Sequence, residues 1–208
     1  MDNNSQSLDR APAVYLLRHG QTEWSESGQH TGRTDIPLTA RGEQQARRAG
    51  AVLARLRATD VQPALVLTSP RQRALRTAEL AGLAVGETTE SLAEWDYGDY
   101  EGLTTPQIRE SDPGWTVWTH AIPGGESAEQ VGARATTVLD RVRSALPGGD
   151  VVLVGHGHFS RVLIAAWLAM TPSDGVHFGL DPAGITVLGD ERGDPQVRRL
   201  NVPPWGED

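Results

Sequence analysis

VYLLRHGQTEWSESGQHTGRTDIPLT, residues 14–39, starts as an apolar run and breaks at once into a cation, an imidazole and a glycine at Arg18, His19 and Gly20. The short apolar segment Ala13 to Leu17, with its valine and tyrosine, predicts a strand buried on both faces. Further on, DVVLVGHGHFSR, residues 150–161, repeats the pattern: Val151 to Val154 runs into Gly155-His156-Gly157-His158. Two buried strands that each end at a His-Gly place two imidazoles at one sheet edge. In open α/β sheets that edge, outside the carboxyl ends of the strands, is where ligands bind.

Outward from that stretch, strands and helices alternate. The segment after Leu17, rich in Gly, Thr, Ser and Asp, reads as a long loop, and long loops in compact domains are usually functional. Thr39 is a candidate N-cap for a helix whose apolar face is Ala49, Val52, Leu53 and Leu56. Ala64 to Thr68 predicts a second strand, followed by Ser69-Pro70 as N-cap and first helical residue of a helix presenting Ala74, Thr77, Ala78 and Ala81. Residues 83 to 103 read as irregular, with Gly82 just before them and Gly86, Gly98 and Gly102 within them as breakers. Ser127-x-x-Gln130 is a capping-box pattern that opens a helix through Val131, Ala135, Val138, Leu139 and Val142. Phe159 to Met170 predicts a strongly apolar helix, and Ile185 to Leu188 and Val197 to Leu200 two late strands. The alternation predicts a three-layer α/β fold, a largely parallel central sheet with helices on both faces.

A chain of 208 residues buries a substantial core without staples. No repeat or linker divides it, so one domain is expected over 13–201, between a flexible tail at 1–12 and a second tail at 202–208. Within it, 92–126 reads as a cap-like insertion over one edge of the sheet. The absence of cysteine excludes disulfides, thiolate metal sites and a cysteine nucleophile. The polar start MDNNSQSLDRAP has no signal pattern, and no window approaches the ~18 apolar residues of a membrane span, so a soluble cytoplasmic protein is expected. A net charge of −8 disfavours nucleic acid and anionic membrane as partners.

Against that acidic background the arginines beside the histidines stand out. Arg18 adjoins His19, and Arg73 falls in the first turn of the helix after Ser69-Pro70, where free amides and the helix dipole favour an anion. With His156 they make three cationic or donor groups for a site the size of one phosphate, the arginines suited to bidentate oxygen contacts. Arg71 and Arg76 share the segment but do not all face one way on a helix. Gly20 and Gly157 are expected to let backbone approach the bound group closely. A proton donor is sought in SLAEWDYGDYEG, residues 91–102. Glu94, between Leu92 and Trp95, is the candidate, since partial burial raises a carboxyl's proton affinity. Asp96, Asp99 and Glu101 rival it on spacing alone.

These residues, taken in order, form a known pattern. Leu17 to Trp24, Thr31-Gly32, Ser69-Pro70-Arg71-Gln72-Arg73-Ala74 with Thr77, Glu94 before Tyr97-Gly98, and Gly155-His156-Gly157 resemble the histidine phosphatase superfamily, the phosphoglycerate mutase-like family. The phrases RHGQTEWSESGQHTGRTDIPLT, AEWDYGDYEGLTTPQIRE and HGHFSR are most similar to sedoheptulose bisphosphatase-type sugar phosphatases and to actinobacterial acid phosphatases. The resemblance implies a metal-independent phosphatase without cofactors that acts on small phosphorylated metabolites. His19 would become a phosphohistidine. Arg18, Arg73 and a cationic His156 would hold the phosphoryl oxygens. Glu94 would protonate the leaving alcohol and then activate water.

The resemblance further implies that Gln21, Thr31, Gly32 and Gly157 line the phosphate end, and that His30, His158 and Arg161 approach the rest of the substrate. Tyr97, Trp115 and Trp118 either wall the pocket or serve as local core. Mutases of the family carry a longer, basic insertion than residues 103 to 126, which hold one arginine, Arg109. They also place an aromatic residue where Arg33 stands, so hydrolysis is expected over transfer. A phosphoglycerate mutase is the enzymatic alternative. A non-catalytic phosphate-binding regulator is the alternative of another class, and a phosphoprotein phosphatase a further one. A dinucleotide binder is disfavoured because no G-x-G-x-x-G follows the first strand. Two histidines two residues apart, with no carboxylate or thiol near, make a poor zinc set. A homodimer is the general default for such an enzyme.

Overall fold

The computed structural model describes residues 11–205; the expected N-terminal tail lies almost wholly outside them. Six strands form one sheet in the order β3-β2-β4-β1-β5-β6. They are β1 (Val14–Arg18), β2 (Leu65–Thr68), β3 (Glu87–Thr88), β4 (Val151–Gly155), β5 (Ile185–Glu191) and β6 (Asp194–Val202). The pairs β1–β4, β2–β4 and β2–β3 are parallel. The pairs β1–β5 and β5–β6 are antiparallel, and a short turn suffices to join β5 to β6, whereas parallel strands need longer crossover connections. The sheet is thus largely parallel, as expected, with an antiparallel edge. β6 runs through Val202, which pairs with Ile185, one residue into the expected C-terminal tail.

Alternation along the central strands sorts the core into two layers. Tyr15, Leu17, Val66, Val152 and Val154 face Ala49, Val52 and Leu53 of α2 (Ala40–Arg57) and Ala74 and Ala78 of α3 (Gln72–Leu80). Val14, Leu16, Leu67, Val151 and Leu153 face α5 (Ala128–Ala145) and α6 (Gly157–Trp167) on the other side. Burial on both faces is why these strands read as continuous apolar runs rather than alternating ones. The segment 92–126 adds Trp95, Tyr97, Ile108, Trp115 and Trp118 to the α5/α6 side of that core.

Local signals hold at most element ends. Thr39 caps α2 by accepting from the Gly42 amide at 3.0 Å, and Ser127 and Gln130 form the capping box of α5. Two short helices were written in the same code and not read from the sequence. Thr22 and Ser25 box the start of α1 (Glu23–Ser27), within the expected loop, and Thr104 and Gln107 box α4 (Thr105–Ser111). The apolar helix expected from Phe159 starts two residues earlier, at Gly157.

The start of α3 differs from expectation. Ser69-Pro70 is not its cap: the helix begins at Gln72, and Arg71 at the cap position makes no side-chain bond to it. The cap comes through space instead, since Asp35 Oδ1 accepts from the Gln72 amide at 2.8 Å. Ser69 Oγ lies 2.7 Å from His156 Nε2 and is engaged there.

Candidate active site

Parallel pairing of β1 with β4 sets Arg18 opposite Gly155, so the residues that follow, His19 and His156, leave the sheet side by side. The His19 amide donates to Gly155 O at 2.9 Å, and the two imidazole rings meet edge to face at 5.3 Å. Nδ1 of His19 is 2.7 Å from its neighbour's carbonyl, Gly20 O. A carbonyl only accepts, so Nδ1 carries the proton and Nε2 keeps its lone pair. Burial first, then the charges of Arg18 and Arg73, hold the proton affinity of His19 well below that of a free histidine, with the Gly20 bond opposing them. The site therefore presents a neutral imidazole with one fixed tautomer.

Gly20 is required for a reason other than the expected one. A Cβ there would sit 2.3 Å from Gly42 O, so this glycine lets the His19 turn press against the first turn of α2. The Cβ of a residue at Gly157 would meet the Arg18 guanidinium at 3.3 Å, and its clearance serves Arg18. Arg18 Nη1 donates to Leu180 O at 2.5 Å, while Nε is buried with no hydrogen-bond partner among the described residues. Burial lowers its proton affinity and Glu94, Tyr97 and Asp181 restore part of it. A buried guanidinium with an unused donor is poised for an anion.

Arg73 is fully buried and spends its donors on the protein. Nη1 donates to Thr34 O, Nη2 to Thr31 O and Gly32 O, and Nε to His156 Nδ1 at 3.3 Å. Because His156 Nδ1 accepts that proton, it carries none of its own. The ring is neutral, with Nε2 directed to Ser69 Oγ. Burial and the charge of Arg73 lower its proton affinity strongly, so the expected cation is not what the structure holds. The reason is electrostatic: a second positive charge beside a buried guanidinium is disfavoured in a poorly solvated site.

Glu94 is 9% exposed and held by three amides. Oε1 accepts from Trp95 N at 2.9 Å and Phe159 N at 2.7 Å, and Oε2 from His158 N at 3.0 Å. Two of these donors belong to the first turn of α6, whose amides lack partners within the helix. The rival carboxylates have other employment. Asp96 pairs with Arg33 at 2.7 Å, Asp99 lies against Gly124, and Glu101 accepts from the Gly32 and Thr34 amides, which ties the 31–34 loop down.

A cavity of about 440 Å³ opens over His19. Its walls include Arg18, His19, His30, Thr31, Glu94, Tyr97, Gly157, His158 and Arg161, and Glu94 is the one carboxylate among its lining residues. Arg73, His156, Gln21 and Gly32 do not reach the wall. The first two stand fully buried, with His156 against His19 and Arg73 against His156; Gln21 bonds Thr39, and Gly32 packs under Trp95 O. Tyr97, Trp115 and Trp118 fill both proposed roles, buried and cavity-lining at once. Tyr97 Oη bonds His158 Nδ1 at 2.6 Å, and burial pushes the phenol well above its usual range. His30 packs between Tyr97 and Trp115 with ring centroids 4.7 and 5.3 Å away. Arg161 stacks 4.4 Å from the Trp118 ring and donates to Gly175 O and Val176 O. Trp24, Arg109, Val176 and Leu180 line the cavity without having been singled out as wall residues. Trp24 carried a signal, since it follows the Arg-His-Gly motif directly; Val176 and Leu180 lie in a stretch with none.

Among the described residues, no cluster of three or more His, Cys, Asp or Glu side chains is arranged to hold a metal ion. The profile of the histidine phosphatase superfamily (branch 1) matches residues 14–203. The chain is 50% identical over 189 residues to an acid phosphatase of Mycobacterium tuberculosis, covering 91% of this chain and 90% of that one. It is 33% identical over 187 residues to the sedoheptulose 1,7-bisphosphatase of Saccharomyces cerevisiae, covering 76% and 68% respectively. The solved structure of an open reading frame product of M. tuberculosis superposes with a TM-score of 0.89 at 47% identity, covering 94% of this chain and all of that one.

Proposed function

Because the chain belongs to branch 1 of the histidine phosphatase superfamily, we propose that His19 is its nucleophile, Glu94 its proton carrier and Arg18 its principal phosphate clamp. The chain is a phosphatase of phosphorylated metabolites. The observation that carries the assignment of roles is the pairing, in one cavity wall, of an imidazole whose Nδ1–H is tied to Gly20 O with a single carboxylate.

In the proposed reaction the Nε2 lone pair of His19 attacks phosphorus and the P–O bond to the leaving alcohol breaks. The alkoxide takes a proton from Glu94. Both acceptor positions of Oε1 are filled by amides, so Oε2, which accepts only from His158 N, is the oxygen that carries that proton. The carboxylate then removes a proton from water as its oxygen attacks phosphorus and the P–N bond breaks, which returns His19 neutral and Glu94 protonated. Arg18 stabilises charge on the phosphoryl oxygens. Arg73 and His156 act from behind, Arg73 by adding its charge to the burial and the Arg18 charge that keep His19 unprotonated, and by fixing the 31–34 loop.

We assign the substrate body to sugar phosphates or bisphosphates, in keeping with the tryptophans, which offer faces for C–H stacking, and with Arg161 and Arg109, which line the cavity and spend their described hydrogen bonds on backbone carbonyls. His30, Thr31, Tyr97, Gly157, His158 and Arg161 are its proposed contacts. Among the described residues no helix is long and apolar enough to cross a membrane. We place the enzyme in the cytoplasm, as a homodimer and without nucleic acid.

The test is phosphate release by wild type and His19→Ala over sugar phosphates, bisphosphates and 3-phosphoglycerate, with trapping of the phosphoenzyme. His19→Ala is expected to lose turnover and labelling together. Persistence of either refutes the nucleophile, and net transfer between positions of 3-phosphoglycerate favours the mutase reading.

A further inference from the structure

We propose that Arg134, on α5 and outside the cavity wall, is a positioning residue that holds Glu94 in place for proton transfer. This rests on the reading of Glu94 as proton donor. A guanidinium has five N–H donors, and every one of them on Arg134 is used around the segment that carries Glu94. Nη1 donates to Ser91 O at 3.2 Å and Ala93 O at 2.9 Å, and Nη2 to Glu94 O at 3.3 Å. The remaining two make a bidentate pair with Glu126, Nε to Oε1 at 2.8 Å and Nη2 to Oε2 at 2.7 Å.

Glu126 extends the clamp past Glu94. Its Oε2 accepts from the Asp96 amide at 3.0 Å, and its carbonyl accepts from Trp95 Nε1 at 2.9 Å. Main chain before, at and after Glu94 is therefore bonded to one ion pair. The same guanidinium lies 4.6 Å from the ring centroid of Phe159, whose amide holds Glu94 Oε1. Arg134 thus touches both supports of the carboxylate, the 91–96 strap and the first turn of α6, while the only regular secondary structure in residues 90–103 is two short 3-10 turns. Lysine has one ammonium and no fork, and cannot reach three carbonyls and a carboxylate together.

A displaced general acid hurts most where the leaving group needs its proton. The experiment compares kcat/KM of wild type, Arg134→Lys, Glu126→Gln and Glu94→Gln on p-nitrophenyl phosphate and on an alkyl phosphate ester such as a sugar phosphate. This parameter reports steps through formation of the phosphoenzyme, and p-nitrophenolate departs without a proton. Arg134→Lys is expected to lose about 10- to 100-fold on the alkyl ester, within the ~100- to 10,000-fold range of general acid–base catalysis, and less than about threefold on the aryl ester. Glu126→Gln, which keeps the arginine, is expected to show the same selectivity more weakly and serves if Arg134→Lys does not fold. Equal loss on both esters, or no loss on the alkyl ester, overturns the positioning role. If Glu94→Gln itself affects both esters equally, the reading of Glu94 fails first and this inference falls with it.

Discussion

His30 offers a quantitative test of how this site treats protons. Its ring is 8% exposed, wedged between Tyr97 and Trp115, and burial lowers its pKa from 6.5 to about 4. Between those values the unfolded chain binds a proton that the folded protein refuses, so stability falls as pH drops through 6.5 and stops falling near pH 4. At about 1.4 kcal/mol per pH unit, the whole window is worth about 3 kcal/mol, a large part of the ~5–15 kcal/mol that holds a typical domain together. His30→Phe keeps an aromatic ring of similar size and removes the titration, at the loss of the bond from Nε2 to Thr105 Oγ1. Urea unfolding of both proteins at pH 7 and pH 4.5 isolates the effect, because titrations common to the two cancel. Wild type is expected to lose about 2–3 kcal/mol more than the variant over that interval, and the relief of His158, whose proton affinity His30 also lowers, adds to the difference. Parallel pH curves for the two proteins would show that His30 titrates freely and that the burial argument is wrong.

Other consequences are more local. Gly20→Ala drives a Cβ to 2.3 Å from Gly42 O and is expected to cost about 1–3 kcal/mol of stability and to depress kcat by displacing His19; an unchanged melting temperature would show that the His19 turn has room. Arg161→Met keeps an apolar stem over Trp118, and is expected to raise KM about tenfold on a bisphosphate, some 1.4 kcal/mol of binding, with kcat within twofold. A uniform fall in kcat would place Arg161 in the chemistry instead. Phosphate release in excess chelator is expected to match that in buffer, since the proposed mechanism draws its charge stabilisation from Arg18 and its proton transfer from Glu94. Loss that zinc or magnesium restores would overturn it.

The fold was legible where short-range physics decides structure. Apolar runs such as Val14 to Leu17 and Val151 to Val154 announced buried strands, and Thr39 and Ser127 announced helix starts, because a cap is satisfied by residues three positions away. The helix after Ser69-Pro70 was misjudged at its start for the opposite reason. Its cap, Asp35, lies 37 residues earlier in the chain, and nothing local encodes a bond of that span. The same distinction separates the candidate site residues. His19, Arg18 and Glu94 sit in motifs that name them, but the neutral state of His156 follows from Arg73 arriving at its Nδ1 from the first turn of α3.

By itself, then, the sequence determined the layered α/β architecture, the family and the identity of the nucleophile and proton-donor candidates. Tertiary structure alone decided which groups share a wall, which carboxylate among four is the one in the cavity, and how Arg134 reaches Glu94 across 40 residues. Periodicity and capping act over one or two turns of chain. Burial, tautomer and hydrogen-bond partners are set by whatever the folded chain brings within about 3 Å, and in this protein most of those partners come from other elements.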